Sequence, residues 1–516
     1  MSVPLRVSAA LAVTLFLSAT AGLAPARAES APRFTDPLAV YEASSARVAV
    51  AADSTSVAYS VSSFEGSTVA TGSAAVSNGA ASVDLSGLGP GYYELTVSTA
   101  AGKAATNLGL VAGLAKPPAS SLFGTTVHPA IHRSLDQSAA ASGVGAGTAR
   151  VDWRWEDAVA SGPGFTWDPS TEAEISRLQA RGIRPTLVLA YYGLCDGGRT
   201  PSSKSCINQY VDYARATAQK FGAGVDYAIY NEFNYALNNG KCGRTADCYL
   251  KLLKPASEAI RLYAPGAKVS GPALGAADDW WAVGGAAYTW FDRFVTLGGH
   301  NYVDVVTIHN YSLSKAPEGY SERAVANAKA LLAAAGSSKP VVLEEAGYNT
   351  VAGGQPEPVQ AAFLVRDAAA VLSAGASQYM HYGLVDNWNA PASPEANFGL
   401  FRHEDTAGGR LVPKPAAVAQ AVLSRFLAGA AAMGDEKLGA DARSAVFKLA
   451  DGRTGRIVWS TQVMHSLVLQ GGGNVSAVDI FGRQLPLYAE GGAVSLGFGG
   501  YPVLLTSDTA GTASIV

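Results

Sequence analysis

Two short stretches place carboxylates where an apolar run stops. Val225–Asn234 reads VDYAIYNEFN, an apolar segment ending in Asn231-Glu232, and Lys339–Asn349 reads KPVVLEEAGYN, a second one ending in Glu344-Glu345. Runs of this length, rich in Val, Ile and Tyr, have the pattern of buried strands. A carboxylate at the tip of such a strand is solvated, ion-paired or put to use. Two tips that each deliver an acid suggest a site with a pair of carboxyls, which is what cleavage of an acetal requires. One protonates the departing oxygen and the other meets the developing oxocarbenium ion. Glu232 is the candidate acid/base and Glu345 the candidate nucleophile, with Glu344 competing for the second role. Side chains alternate along a strand, so Leu343 and Glu345 are expected on one face and Glu344 on the other. Periodicity alone does not say which face meets the mouth of the site.

The elements that would position these acids alternate from Ser121 onward. Candidate strands are Leu122–His128, Gly147–Asp152, Arg184–Ala190, Val225–Tyr230, Lys268–Pro272, Val303–His309, Pro340–Glu344 and Gln378–Leu384. Between them lie the helical stretches Ser170–Arg181, Ile207–Phe221, Leu250–Tyr263, Ala286–Leu297, Ser321–Ala335 and Glu357–Ala374. This is the pattern of an α/β protein, a (β/α)8 TIM barrel over residues 120–410. An open doubly wound sheet is the alternative, and no Gly-rich phosphate turn follows the first strand to support it. In the barrel, reactive groups sit at the C-terminal strand ends. Those ends carry His128, Asp152 with Trp153 and Trp155, Tyr191-Tyr192, Asn231-Glu232, His309-Asn310-Tyr311, Glu344-Glu345, and Asp386 with Trp388. Polar and aromatic tips all round one ring suit a sugar. Trp388 is the preferred stacking platform, Trp290 reads as core, and one of Trp280 and Trp281 is expected to border the cleft.

The flanks look different. Residues 34–115 alternate apolar and polar in SVAYSVSSF, ASVDLSGL and GYYELTVST, the pattern of a small N-terminal β-sandwich closed by a Lys116-Pro117-Pro118 linker. Residues 411–516 begin with a helical piece, Lys414–Ala428, and continue in strands, as in a second sandwich. Neither flank gathers acids, so support is the expected role of both. Residues 1–28 have the form of a secretory leader, with Arg6, an apolar Val7–Leu17 and a terminal Ala26-Arg27-Ala28. Export would suit the four cysteines, for which Cys195–Cys206 and Cys242–Cys248 are the simplest pairs. Zinc is the rival use, but no histidine stands at ligand spacing near them. A net charge of −3 offers no basic field for nucleic acid. No metal or organic cofactor, no membrane insertion and a monomeric state are expected.

The chain resembles a clan A retaining glycoside hydrolase, and is most similar to glycoside hydrolase family 39 and related bacterial exopolysaccharide glycosidases. The resemblance rests on Asn231-Glu232, on Glu345-Ala346-Gly347, and on Arg150-Val151-Asp152-Trp153-Arg154-Trp155. It implies a secreted hydrolase acting on a polysaccharide or oligosaccharide, with Glu232 as acid/base. It favours Glu345 over Glu344 as nucleophile. Arg150 would neutralise and orient the nucleophile, His309 or Tyr311 would hydrogen-bond it, Asn231 would bind the hydroxyl beside the scissile carbon, and Trp388 would floor the sugar subsite. His128, Asp152 and Trp155 complete the expected substrate contacts. Phe233 stands where many clan members have proline. A non-catalytic glycan-binding protein and a transglycosylase using the same acids are the rival functions.

Overall fold

The computed structural model describes residues 30–114, 121–161, 164–313, 315–387, 390–403 and 409–516. The expected leader, the expected Lys116-Pro117-Pro118 linker and Trp388 lie outside them.

A closed barrel of parallel strands forms the centre. Its staves are β1 (Phe123–Val127), β2 (Thr148–Arg154), β3 (Arg184–Ala190), β4 (Asp226–Ile229), β5 (Val269–Leu274), β6 (Val305–His309), β7 (Val341–Ala346) and β8 (Gln378–His381). Both faces of these strands are covered, which is why the sequence shows short apolar runs with little alternation; every residue of β1, β5 and β7 is buried. The expected eighth strand stops early, at His381, and Tyr382 turns out of the ladder toward the barrel mouth.

The outer ring is α1 (Gln137–Gly143), α2 (Pro169–Ala180), α3 (Lys204–Phe221), α4 (Ala246–Tyr263), α5 (Ala286–Thr296), α6 (Ser321–Ala334), α7 (Glu357–Ser373) and α8 (Pro415–Phe426). Side-chain caps start four of them: Asp136 accepts from the Ala139 amide, Asp168 from Thr171, Ser203 from Cys206 and Thr245 from Cys248. Those last two caps hold the cysteines that bond back to Cys195 and Cys242, so both expected disulfides form and tie the loops after β3 and β4 to the helices that follow. The eighth helix falls inside the stretch that the sequence assigned to the C-terminal unit.

Before the barrel, a sheet of Arg33–Phe34, Arg47–Ala51 and Ala80–Asp84 faces a sheet of Val40–Glu42, Gly102–Val111, Gly91–Thr99, Ser56–Ser63 and Thr68–Ala75. Val48, Val83, Val61, Leu95 and Leu108 from the two sheets share one core. After α8, two further sheets enclose Val458, Leu467, Leu496 and Leu505. Four strands there carried little sequence signal: Ala431–Lys437, Tyr488–Glu490, Ala493–Phe498 and Thr512–Ile515. The first two are largely exposed, so no buried face marks them. The other face of the C-terminal sheet, including Phe447 and Trp459, joins the barrel's core. Among the described residues no helix is long and apolar enough to cross a membrane.

Candidate active site

The C-terminal strand ends surround a cavity of about 550 Å³. Glu232 and Glu345 both line it, as do His128, Arg150, Asp152, Asn231 and Tyr311. A carboxylate oxygen of Glu232, one of Glu345 and a ring nitrogen of His309 lie within 4.8 Å of one another.

Local backbone irregularities make this convergence possible. In a regular strand Asn231 and Glu232 would point to opposite faces. Here Tyr230 and Glu232 take positive φ (65° and 47°), which breaks the pleat and turns both Asn231 and Glu232 to the cavity. Such conformations cost about 1–3 kcal/mol each and collect where function demands them. On β7 the register against β6 slips by a residue: Ile308 pairs with Leu343, but His309 pairs with Glu345. Glu344 is the extra residue of this bulge, a device that re-aims side chains. Strict alternation predicted that Glu344 would turn away from Glu345. Instead both carboxylates reach the same arginine, and only Glu345 reaches the cavity.

That arginine, Arg150 on β2, is buried and organises the floor. Its guanidinium donates through Nη1 to Glu345 Oε1 and through Nη2 to Asn231 Oδ1, while Nε faces Glu344 Oε2 at 3.6 Å. The second oxygen of Glu345 accepts from Tyr311 at 2.7 Å. Burial and the charge of Glu345 push the Tyr311 phenol well above its usual value, so it remains a donor. Asn231 Nδ2 donates to the Tyr191 hydroxyl at 3.0 Å.

His309 lies beneath the two acids and is fully buried. Its Nδ1 is 2.9 Å from Glu232 Oε1 and 3.5 Å from Glu345 Oε2, and its Nε2 is 3.6 Å from Glu344 Oε2. Burial alone would discharge the ring. The carboxylates of Glu345, Glu232 and Glu344 outweigh it and push the imidazole up to about 9. Glu344 is the counterpart: burial opposes its charge, but Arg150 and His309 bring its carboxyl below the usual range. With Nδ1–H given to Glu232 Oε1, the other oxygen of Glu232 is the one left to work in the cavity. Glu232, His309 and Glu345 have the chemistry of a cation site, yet Arg150, Tyr311 and the imidazole already donate to these carboxylates.

Gly275, after β5, completes the acid's seat. A Cβ there would stand 2.7 Å from Glu232 Cδ, so only glycine lets the carboxyl lie flat on that backbone.

The remaining expected residues divide. His128 lines the cavity edge-on to Tyr382 at 5.6 Å, and burial lowers its affinity for a proton. Asp152 lines the cavity on the same side. Trp155 does not reach it: the indole is buried between Tyr210 and Tyr213 of α3, because the chain leaves β2 in a short 3-10 turn that carries the ring outward. Trp153 also packs outward, against Trp167 and Phe221. Trp290 packs on Phe294 and Trp281 on Phe291, whereas Trp280 lines the cavity. Asp386 is pinned to Lys414 at 2.8 Å, away from the mouth. Sequence reasoning did not single out Tyr382 or Glu395. Glu395 sits on the loop after β8, accepts from the Tyr382 hydroxyl and has its carboxyl raised by burial. No strand-end pattern marks a residue so far along a loop.

No family model matches the chain, and no curated protein does either. Solved structures do. A family 39 glycoside hydrolase from the gut symbiont Bacteroides cellulosilyticus WH2 is similar with a TM-score of 0.77 at 19% identity, over 92% of this chain and 100% of that one. The catalytic domain of GH30 xylanase C from Talaromyces cellulolyticus aligns with a TM-score of 0.53 at 15% identity, over 75% of this chain and 96% of that one. A glucosidase from Croceicoccus marinus aligns with a TM-score of 0.50 at 12% identity, over 76% and 97%. At these identities the likeness establishes the fold. With the first structure it extends past the barrel into the flanking sheets.

Proposed function

We propose that this chain is a secreted retaining glycoside hydrolase in which Glu345 is the nucleophile and Glu232 the acid/base. The observation that carries this is the separation of the two acids. One carboxylate oxygen of Glu232 and one of Glu345 lie within 4.8 Å of each other, which fits the close spacing of retaining enzymes (about 5–5.5 Å between carboxyls) better than the ~6.5–9.5 Å that leaves room for an inverting water. Glu345, held by Arg150 and Tyr311, attacks the anomeric carbon while Glu232 gives its proton to the leaving oxygen. Glu232 then takes a proton from water, which releases the sugar from Glu345. Asn231, held between Arg150 and Tyr191, would bind the hydroxyl beside the reacting carbon. His128, Asp152 and Glu395 would hold the rest of the glycone. The fold shared with a family 39 glycoside hydrolase supports the same reading.

The test is turnover on a panel of 4-nitrophenyl glycosides and purified cell-envelope and plant glycans. Activity should appear on at least one glycone. Glu232→Gln should lower it by about 10²–10⁴-fold, and Glu345→Gln should abolish it. Turnover that both substitutions leave intact contradicts the assignment.

A further inference from the structure

The wall beyond Glu232 differs in character from the rest of the cavity. On the side formed by β7, β8, β1, β2 and β3, the lining carries Arg150, Asp152, His128 and Glu395. On the side formed by the loops after β4, β5 and β6, past Glu232 and Tyr311, the lining is Tyr235, Leu237, Ala276, Trp280, Leu313 and their small neighbours. Among the described residues, no charged or amide side chain from these loops lines the cavity beyond Glu232. Asn238 donates to the carbonyls of Phe233 and Gly243, and Asp278 pairs with Lys315 at 3.1 Å.

The apolar side chains are nevertheless open to solvent. Tyr235 is 46% exposed, Leu237 40% and Leu313 52%. Tyr235 packs against Trp280 with ring centroids 5.7 Å apart. The wall is also rigidly built. Asn234 and Gly275 exchange two hydrogen bonds between the first two loops, and the backbones of Ala276, Tyr311 and Asp278 link the second to the third. A pre-formed, exposed apolar surface continuous with a reactive site is a surface with a ligand.

In the mechanism proposed above, the leaving group departs on the side of the proton donor. We infer that this wall selects an apolar leaving group, an alkyl or aryl aglycone rather than a second sugar. The inference rests on the hydrolase reading. The aglycone alcohol leaves with the Glu232 proton as its bond to the anomeric carbon breaks and the bond to Glu345 forms. A sugar in this place would find few partners for its hydroxyls beyond the Tyr235 hydroxyl and the Trp280 N–H, and hydroxyls stripped of water without replacement cost affinity. An alkyl chain or aromatic ring loses nothing and covers Leu237, Leu313 and Trp280.

The test compares substrates sharing the glycone that the panel identifies: the methyl glycoside, the n-octyl glycoside and the disaccharide with glucose as leaving group. Methanol and octanol are similar leaving groups, so their ratio isolates apolar contact. The expected result is kcat/KM at least tenfold higher for the octyl glycoside than for either other substrate, with the octyl-to-methyl ratio falling at least fivefold in Leu237→Ser. A ratio near one, a ratio unmoved by Leu237→Ser, or a preference for the disaccharide overturns the inference while leaving the hydrolase intact. A second measurement needs no turnover: titration of the intact protein with 4-phenyl-1-butanol, followed by tryptophan fluorescence. Binding that weakens at least fivefold in Leu237→Ser supports the apolar subsite even if no glycoside is cleaved. Where no glycoside is cleaved, absence of binding rejects it.

Discussion

At the scale of single residues, the site is a charge arrangement with Arg150 and His309 at its centre. Glu344 lies out of the cavity but touches both cations, which makes it a positioning residue for the pair that does the chemistry. Buried ion pairs rarely add net stability, but removing one partner is costly. Glu344→Gln should therefore destabilise the fold by about 3 kcal/mol, read by chemical denaturation. It should also move the titration of the His309 ring, followed by NMR of labelled imidazole, from about 9 down toward its ordinary value. A ring that still titrates near 9 in the variant means the other two carboxylates suffice. The sign for stability follows from the direction of the shift. A histidine raised in the folded state contributes fully below its unfolded value, and that contribution is lost as pH rises through about 9.

At the scale of elements, catalysis depends on places where strands stop being regular. The β7 bulge and the positive φ at Tyr230 and Glu232 let neighbouring side chains share a face that a pleated strand would divide. This is why the acids were legible from sequence and part of their environment was not. Apolar runs ending in Asn231-Glu232 and Glu344-Glu345 announced the strand tips. A one-residue bulge has no signature in a run as uniformly apolar as Val341–Leu343, so Glu344 was expected on the far side of the strand. Trp155 was misplaced for a related reason, since the turn after β2 carries it outward. Gly275 belongs to this scale as well, because its bare backbone seats the acid. Gly275→Ala should push Glu232 aside and lower kcat about 10–100-fold with little change in melting temperature. An unchanged kcat contradicts the seat.

At the scale of the whole molecule, both sets of sheets pack on the barrel and also meet each other, where Arg483 pairs with Glu65 and Phe481 lies against Phe64. The helix α8, Phe447 and Trp459 bury against the barrel, and Trp459 Nε1 donates to Glu318 at 2.8 Å while Arg366 pairs with the same carboxylate. The outline of this assembly was legible because period-2 and strand–helix alternation differ plainly along the chain. The exposed edge strands were not, having no buried face to pattern. Behind the barrel wall, Asp367 of α7 faces the Tyr379 hydroxyl at 3.4 Å, and burial pushes its carboxyl up to about 8. An acid raised in the folded state contributes fully below its unfolded value, and that contribution is lost as pH rises toward about 8. Asp367→Asn should therefore gain on the parent as pH rises. Its melting temperature relative to the parent should be ~2 °C higher at pH 9 than at pH 5. A difference independent of pH would mean that Asp367 is ionised throughout.

The most direct measurement is covalent trapping with the 2-deoxy-2-fluoro analogue of a cleaved glycoside bearing an activated leaving group, followed by peptide mass mapping. A glycosyl adduct on Glu345, with Glu344 unmodified, is the predicted result. An adduct on Glu344 or Glu232, or turnover that leaves no adduct and inverts the anomeric centre, would contradict it.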